Sequence, residues 1–207
     1  MSTKHFKVGL ALGGGGARGL AHIGVIEGLK KEGIPIDIIS GTSAGSMVGG
    51  LYALYKDINL LKQMSDKITQ KINDNPKQLD FGFFQGGQKT KYILWRKLSE
   101  FIKKSHLLNT ELRKTYLNNG QTIKEFLDEV FQQSYFKHLK IPFSCSAADL
   151  VSGREVILKE GLLSNAIMAS CAIPGIFPPV KWKEKTLVDG GIVNAVPIAL
   201  TRKMGAD

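Results

Sequence analysis

Short apolar runs alternate with helix-periodic stretches at both ends of the chain, and glycine marks most of the junctions. Phe6 to Leu12 (FKVGLAL) has the length and apolar character of a buried strand, and it stops at Gly13-Gly14-Gly15-Gly16. Leu20 to Gly33 (LAHIGVIEGLKKEG) then spaces its apolar positions as a helix does. A lysine pair falls in its last turn and Gly33 at the expected stop. Gly24 and Gly28, four apart, predict tight packing of that helix against a neighbour. Pro35 to Ser40 (PIDIIS) reads as a second buried strand, Gly41-Thr42-Ser43-Ala44-Gly45 as its turn and SMVGGLYALYK as the next helix. Strand–loop–helix, twice over, is the pattern of a parallel α/β sheet. Right-handed crossovers put both glycine-rich turns at the same sheet edge, where open α/β folds hold ligands.

The pattern changes from about residue 56 to residue 140, which is polar, lysine-rich and helical in period. Leu94, Leu98, Phe101 and Ser105 share one helix face, with Trp95 and Ile102 beside them. Thr122-Ile123-Lys124-Glu125 has the form of a capping box opening a helix through Phe131. Between Lys89 and Lys114 stand eight Lys/Arg against two Glu. The plain expectation is a solvated helical insertion; the sharper one is a lid or membrane-contacting surface, its aromatics and lysines facing lipid head groups.

Strand character returns at Ile141 (IPFSCSAADL), with Glu155 to Lys159 as an adjoining strand and a small-residue helix near Ser164 to Cys171. IPGIFPPV is a proline-braced loop, TLVDGG brings a short strand into Asp189, and IALTRKMG is a final helix. The fold class predicted is α/β: a mostly parallel central sheet flanked by helices, in one domain over 1–207 with the insertion at about 56–140. A further strand would be natural after Asp207, so the C-terminal end of the sheet is expected to be truncated.

The formal net charge of +10 suits an anionic partner, either nucleic acid or anionic lipid. No nucleic-acid reading motif accompanies it, so nucleic acid is not expected. The two cysteines, Cys145 and Cys171, sit among small and apolar residues and read as buried free thiols. The N-terminal apolar run is too short for a signal peptide or a span. The expectation is a cytoplasmic protein, in peripheral contact with the inner membrane surface at most, and no oligomeric state is readable.

Gly41-Thr42-Ser43-Ala44-Gly45 fits the nucleophile-elbow pattern G-x-S-x-G, in which a sharp strand-to-helix turn holds the serine exposed. Ser43 also stands at a helix N-terminus, which favours a developing oxyanion. A Ser–Asp–His hydrolase of this kind has its histidine after the acid, yet none of His5, His22, His106 and His138 follows Asp189. A carboxylate acting directly on the serine becomes the attractive alternative, and Asp189 is the candidate. Asp189-Gly190-Gly191 is equally a common turn signal. At the end of an apolar strand, however, the carboxylate is expected to be partly buried and therefore more basic. Gly14 to Gly19 also fits G-x-G-x-x-G, with Asp37 about twenty residues on, as a dinucleotide site requires. The other reading of that loop is a row of amides forming an oxyanion hole, with Arg18 pairing a phosphate or bracing the loop.

Taken in order, GGGARG, GTSAG and a distant DGG resemble the patatin-like phospholipase family, and ASCAIPGIFPPV and GLAHIGVIEGL resemble its bacterial members. One departure is Gly13, where the family's loop often opens with Asp or Ser. The resemblance implies a three-layer α/β fold, a Ser–Asp dyad without a catalytic histidine, and no metal or cofactor. Carried over, Ser43 is nucleophile, Asp189 is base, and Gly14, Gly15 and Gly16 supply oxyanion-hole amides. Arg18, Gly19, Gly41, Gly45, Gly190 and Gly191 support the loops. The implied substrate is a lipid or other acyl ester; the alternative is a non-catalytic member that binds lipid or protein.

Overall fold

The computed structural model describes residues 6–74, with side chains to residue 70, and residues 120–207. The heart of the sheet is parallel: β1 (Gly9–Leu12), β2 (Ile38–Thr42) and β3 (Phe143–Asp149). β1 pairs β2 from Gly9↔Ile38 to Leu12↔Gly41, and β2 pairs β3 from Ile39↔Phe143 to Thr42↔Ser146. Every residue of β2 and β3 is buried, because helices cover both sheet faces and leave no face for polar alternation. This is the parallel centre flanked by helices that the glycine-punctuated pattern predicts.

Antiparallel strands extend this centre: β4 (Glu155–Leu158), β5 (Val180–Trp182) and β6 (Lys185–Asp189). Cys145 and Ser146 of β3 pair with both β2 and β4, whereas Ala147 and Ala148 pair with both β4 and β6. Hence β2 and β6 lie on the same edge of β3, opposite β4. β2 runs parallel to β3 and ends with Thr42 opposite Ser146. β6 runs the other way and ends with Asp189 opposite Ala147. The two strands therefore point their C-terminal ends at each other across neighbouring residues of one rigid strand.

The helices are α1 (Ala21–Lys31), α2 (Ala44–Tyr55), α3 (Ile58–Asp74), α4 (Gln121–Phe131), α5 (Leu163–Ser170) and α6 (Ile198–Lys203). Side-chain alternation along β2 assigns the layers. Ile39 faces α2, where a Cβ on Gly49 would stand 2.9 Å from its Cγ2, while Ser40 Oγ meets Thr201 Oγ1 of α6 at 2.5 Å on the other face. α5 lies beside α2, with Ile167 against Gly50.

Three expectations change. Among the described residues Gly24 and Gly28 of α1 mark no tight helix contact: both are exposed, and beyond chain neighbours and the helix's own backbone no described atom lies within 4 Å of a Cβ built on either. The helix docks instead through Ile23 and Ile26. Second, both described flanks of the 56–140 region belong to the core. Ile58, Leu61 and Met64 of α3 and Ile123, Leu127 and Phe131 of α4 form buried stripes at helical spacing. The lysine-rich stretch from Lys89 to Lys114, with Leu94, Trp95, Leu98, Phe101, Ile102 and Ser105, lies outside the described residues. Third, Thr122 is not an N-cap. α4 starts two residues earlier than that cap would set, behind Gly120, a left-handed residue (φ 74°) whose carbonyl accepts from Lys124 N at 3.0 Å. Among the described residues no helix is long and apolar enough to cross a membrane.

Candidate active site

Ser43 sits between β2 and α2 with φ 53° and ψ −124°, a conformation L-residues rarely adopt. The flanking glycines make the turn possible. A Cβ on Gly41 would stand 2.5 Å from the Gly45 carbonyl oxygen, and one on Gly45 would overlap the Leu12 carbonyl. The first turn of α2 grips the Ser43 carbonyl, which accepts from Ser46 N at 2.8 Å and Ser46 Oγ at 2.6 Å. On the other side, Ser43 N donates to Ser170 Oγ at 2.9 Å, and that hydroxyl donates to the Ser146 carbonyl at 2.7 Å.

Asp189 ends β6 and faces this serine. Ser43 Oγ donates to Asp189 Oδ2 at 2.6 Å, and Gly191 N donates to Oδ1 at 2.7 Å. The Asp-Gly-Gly turn and the carboxylate contact to the serine coexist, because one oxygen caps the turn and the other receives the hydroxyl. Gly190 lies where a Cβ would be 2.5 Å from the Ser146 carbonyl, so the turn hugs β3. Asp189 is 5% exposed and Ser43 3%, so the elbow holds its serine buried rather than exposed as the pattern predicts, because the glycine loop lies over it. Loss of hydration raises the Asp189 pKa from its ordinary 3.8 to about 6, against the opposing effect of its two donors, Ser43 and Gly191. Cys171 lies close by, its Sγ 3.9 Å from Ser46 Oγ, and burial with the neighbouring Asp189 charge pushes its thiol up.

The glycine loop crosses the serine. A Cβ on Gly14 would stand 3.3 Å from Ser43 Cβ, and one on Gly19 would overlap Ala44 Cβ. Gly16–Leu20 forms a 3₁₀ turn with Arg18 exposed on it and Arg18 N donating to the Gly15 carbonyl at 3.2 Å. Gly14 N donates to the Ala195 carbonyl at 2.9 Å, so of the three expected oxyanion amides this one is already committed. His22 Nε2 donates to the Gly13 carbonyl at 2.8 Å, and His138 Nδ1 accepts from Tyr135 N at 3.1 Å. Both described histidines therefore bind backbone. Asp37, the acidic residue of the dinucleotide reading, commits its Oδ2 to Val8 N at 2.8 Å.

Sequence reasoning passed over the polar contacts beneath the elbow. Thr42 Oγ1 meets Ser146 Oγ at 2.9 Å and donates to the Asn194 carbonyl at 3.1 Å. Asp189 N donates to the Ala172 carbonyl at 2.9 Å. The one available signal was the small polar residues within apolar runs, at Ser146 in FSCSAAD and Ser170 in ASCAIPG.

The site thus joins a serine in a strand-to-helix elbow, a buried carboxylate hydrogen-bonded to it and a glycine loop beside it. The patatin-like phospholipase family profile matches residues 10–202, and the chain belongs to that family. It is 32% identical over 201 residues to the patatin-like phospholipase domain-containing protein ZK370.4 of Caenorhabditis elegans, covering 96% of this chain and 13% of that protein. It is 30% identical over 198 residues to lysophospholipase NTE1 of Candida albicans, covering 96% of this chain and 12% of that protein. The chain thus spans about an eighth of the length of these relatives. In fold it resembles the crystal structure of VipD from Legionella pneumophila, with TM-score 0.57 and 18% identity over 93% of this chain and 47% of that one.

Proposed function

We propose that this protein hydrolyses carboxylic esters of lipids, with phospholipids and lysophospholipids as the substrate class, through an acyl-enzyme on Ser43. The observation that carries the reading is the 2.6 Å hydrogen bond from Ser43 Oγ to a buried carboxylate whose pKa stands near 6. Asp189 accepts the Ser43 proton as Oγ attacks the ester carbonyl, and the tetrahedral intermediate places its negative charge beneath the glycine loop. Gly15 and Gly16 supply the oxyanion amides in this scheme, since Gly14 N is held by Ala195. Collapse expels the alcohol or glycerophosphoryl fragment, which takes the proton from Asp189. Water then attacks the acyl-enzyme with Asp189 again as base, and the fatty acid leaves.

The family membership supports a lipid substrate, as does the lysophospholipase name of one relative. The net charge of +10 supports approach to an anionic membrane surface. The test is active-site labelling with a fluorescent fluorophosphonate, followed by fatty-acid release from phosphatidylcholine and lysophosphatidylcholine. Ser43→Ala and Asp189→Asn are expected to lose both signals while keeping the fold. Full activity in Asp189→Asn would overturn the role given to the carboxylate.

A further inference from the structure

The motif ASCAIPG has no part in the chemistry above, yet its centre touches both reacting residues. Ser170 ends α5, and its Oγ accepts from Ser43 N at 2.9 Å. Two residues on, the Ala172 carbonyl accepts from Asp189 N at 2.9 Å. One three-residue segment thus holds the backbone N–H of the nucleophile and that of the base. Its direction is set as well: Ser170 Oγ spends its hydrogen on the Ser146 carbonyl, so a lone pair faces Ser43. Ser146 is the β3 residue opposite Thr42, and the next residue, Ala147, is opposite Asp189.

Taken together, we propose that Ser170-Cys171-Ala172 is a clamp that sets the separation and aim of Ser43 and Asp189, with Ser170 as a positioning residue for the nucleophile. The inference rests on Ser43 being that nucleophile.

The physical case begins with the strained elbow. At φ 53° and ψ −124° the Ser43 backbone is held by its surroundings rather than by its own preference. The first turn of α2 secures the carbonyl side, through Ser46 N and Ser46 Oγ. It cannot secure the N–H side, because an N-cap residue's own N–H lies outside the helix ladder. Ser43 is buried, so that N–H needs a partner inside the protein, and among the described residues Ser170 Oγ is the one it has. Without it the Thr42–Ser43 peptide is free to rotate, φ relaxes, and Cβ swings Oγ away from Asp189. On the other side of the pair, the Ala172 bond and the β3 ladder keep Asp189 in place, so the loss falls on aim rather than on the base.

The experiment measures inactivation of the full chain by a fluorophosphonate, separating the maximal rate (kinact) from the half-saturating concentration (KI), with melting temperature in parallel. Ser170→Ala is expected to lower kinact by about 100-fold, the scale of a misplacement of about 1 Å, with KI little changed. Ser170→Thr, which keeps the hydroxyl, recovers most of that rate. Ser164→Ala removes an equally buried hydroxyl from the same helix, roughly 9 Å further along its axis, and is expected to leave kinact unchanged. The pH profile supplies a readout that a merely structural role would not move. Losing the Ser43 donor raises the Asp189 pKa further, so the acid limb shifts to higher pH in Ser170→Ala; among the described residues Cys171 is the other titratable group facing Asp189. If Ser170→Ala does not fold, Ser170→Cys, with a weak thiol acceptor in similar volume, takes its place with the same expected direction. Silence of the wild type overturns the reading of Ser43 and the clamp with it. A labelled wild type with undiminished kinact in the folded Ser170 variant overturns the clamp alone.

Discussion

Asp189→Asn is expected to stabilise this protein while removing its activity, and the size of the gain follows from the site. Burial raises the Asp189 pKa from 3.8 to about 6 even though Ser43 and Gly191 both donate to it. A folded-state value above the unfolded one means that the native protein binds this proton more tightly. The stability that the neutral acid contributes is therefore fully present below about pH 4 and is lost as pH rises through about 6. At neutral pH the ionised carboxylate costs the fold about 3 kcal/mol, at 1.36 kcal/mol per pKa unit. Asparagine has nearly the same shape, keeps a carbonyl for Gly191 N and carries no charge. Its gain approaches that figure, which for a domain of this size is a rise of roughly 6–12 °C in melting temperature. The assay is a pair of thermal melts from about pH 4 to about pH 8, because the difference between the two proteins cancels every other titrating group. The two curves should meet at the acid end and separate through pH 6. Parallel curves, or a variant less stable than wild type at pH 8, would refute the claim that the carboxylate is held ionised against its surroundings.

The same shift predicts that kcat/KM rises with pH along a single-proton limb centred near 6, checked by initial rates across that range. His22→Gln should leave the midpoint in place, since His22 binds the Gly13 carbonyl rather than the serine. The glycines divide by their surroundings. Gly45→Ala forces a methyl into the Leu12 carbonyl and should destabilise by about 3 kcal/mol or more. Gly24→Ala, exposed within α1 with no described atom near, should stabilise by about 0.5–1 kcal/mol. Denaturant titration of both variants measures the contrast, and equal effects would show that the elbow has room to spare.

Much of the architecture was legible because it depends on local rules. Buried parallel strands need continuous apolar runs, and a sharp strand-to-helix turn needs glycine on either side of Ser43. Those rules located β1, β2, β3 and the helices that follow the first two strands. They failed where the partner is distant. Nothing local says that Gly24 has no close neighbour among the described residues while Gly49 must pass Ile39, or that the polar-looking segments bearing Leu61 and Leu127 bury one face each in the core.

The ordered motifs GGGARG, GTSAG and DGG were enough to indicate the family and to nominate Ser43 and Asp189, because the chemistry requires those residue types at a turn and at a strand end. Their meeting was decided only in three dimensions. Residues 146 apart come within 2.6 Å because β2 and β6 end head to head on one edge of β3, a matter of register that no local pattern encodes. The same holds for Gly14, whose amide looks free in the sequence and is taken by Ala195, and for Ser170, whose neighbours in the chain give no sign that it holds the Ser43 amide. Local propensity selects the elements, whereas hydrogen-bond partners and burial are properties of the assembled sheet.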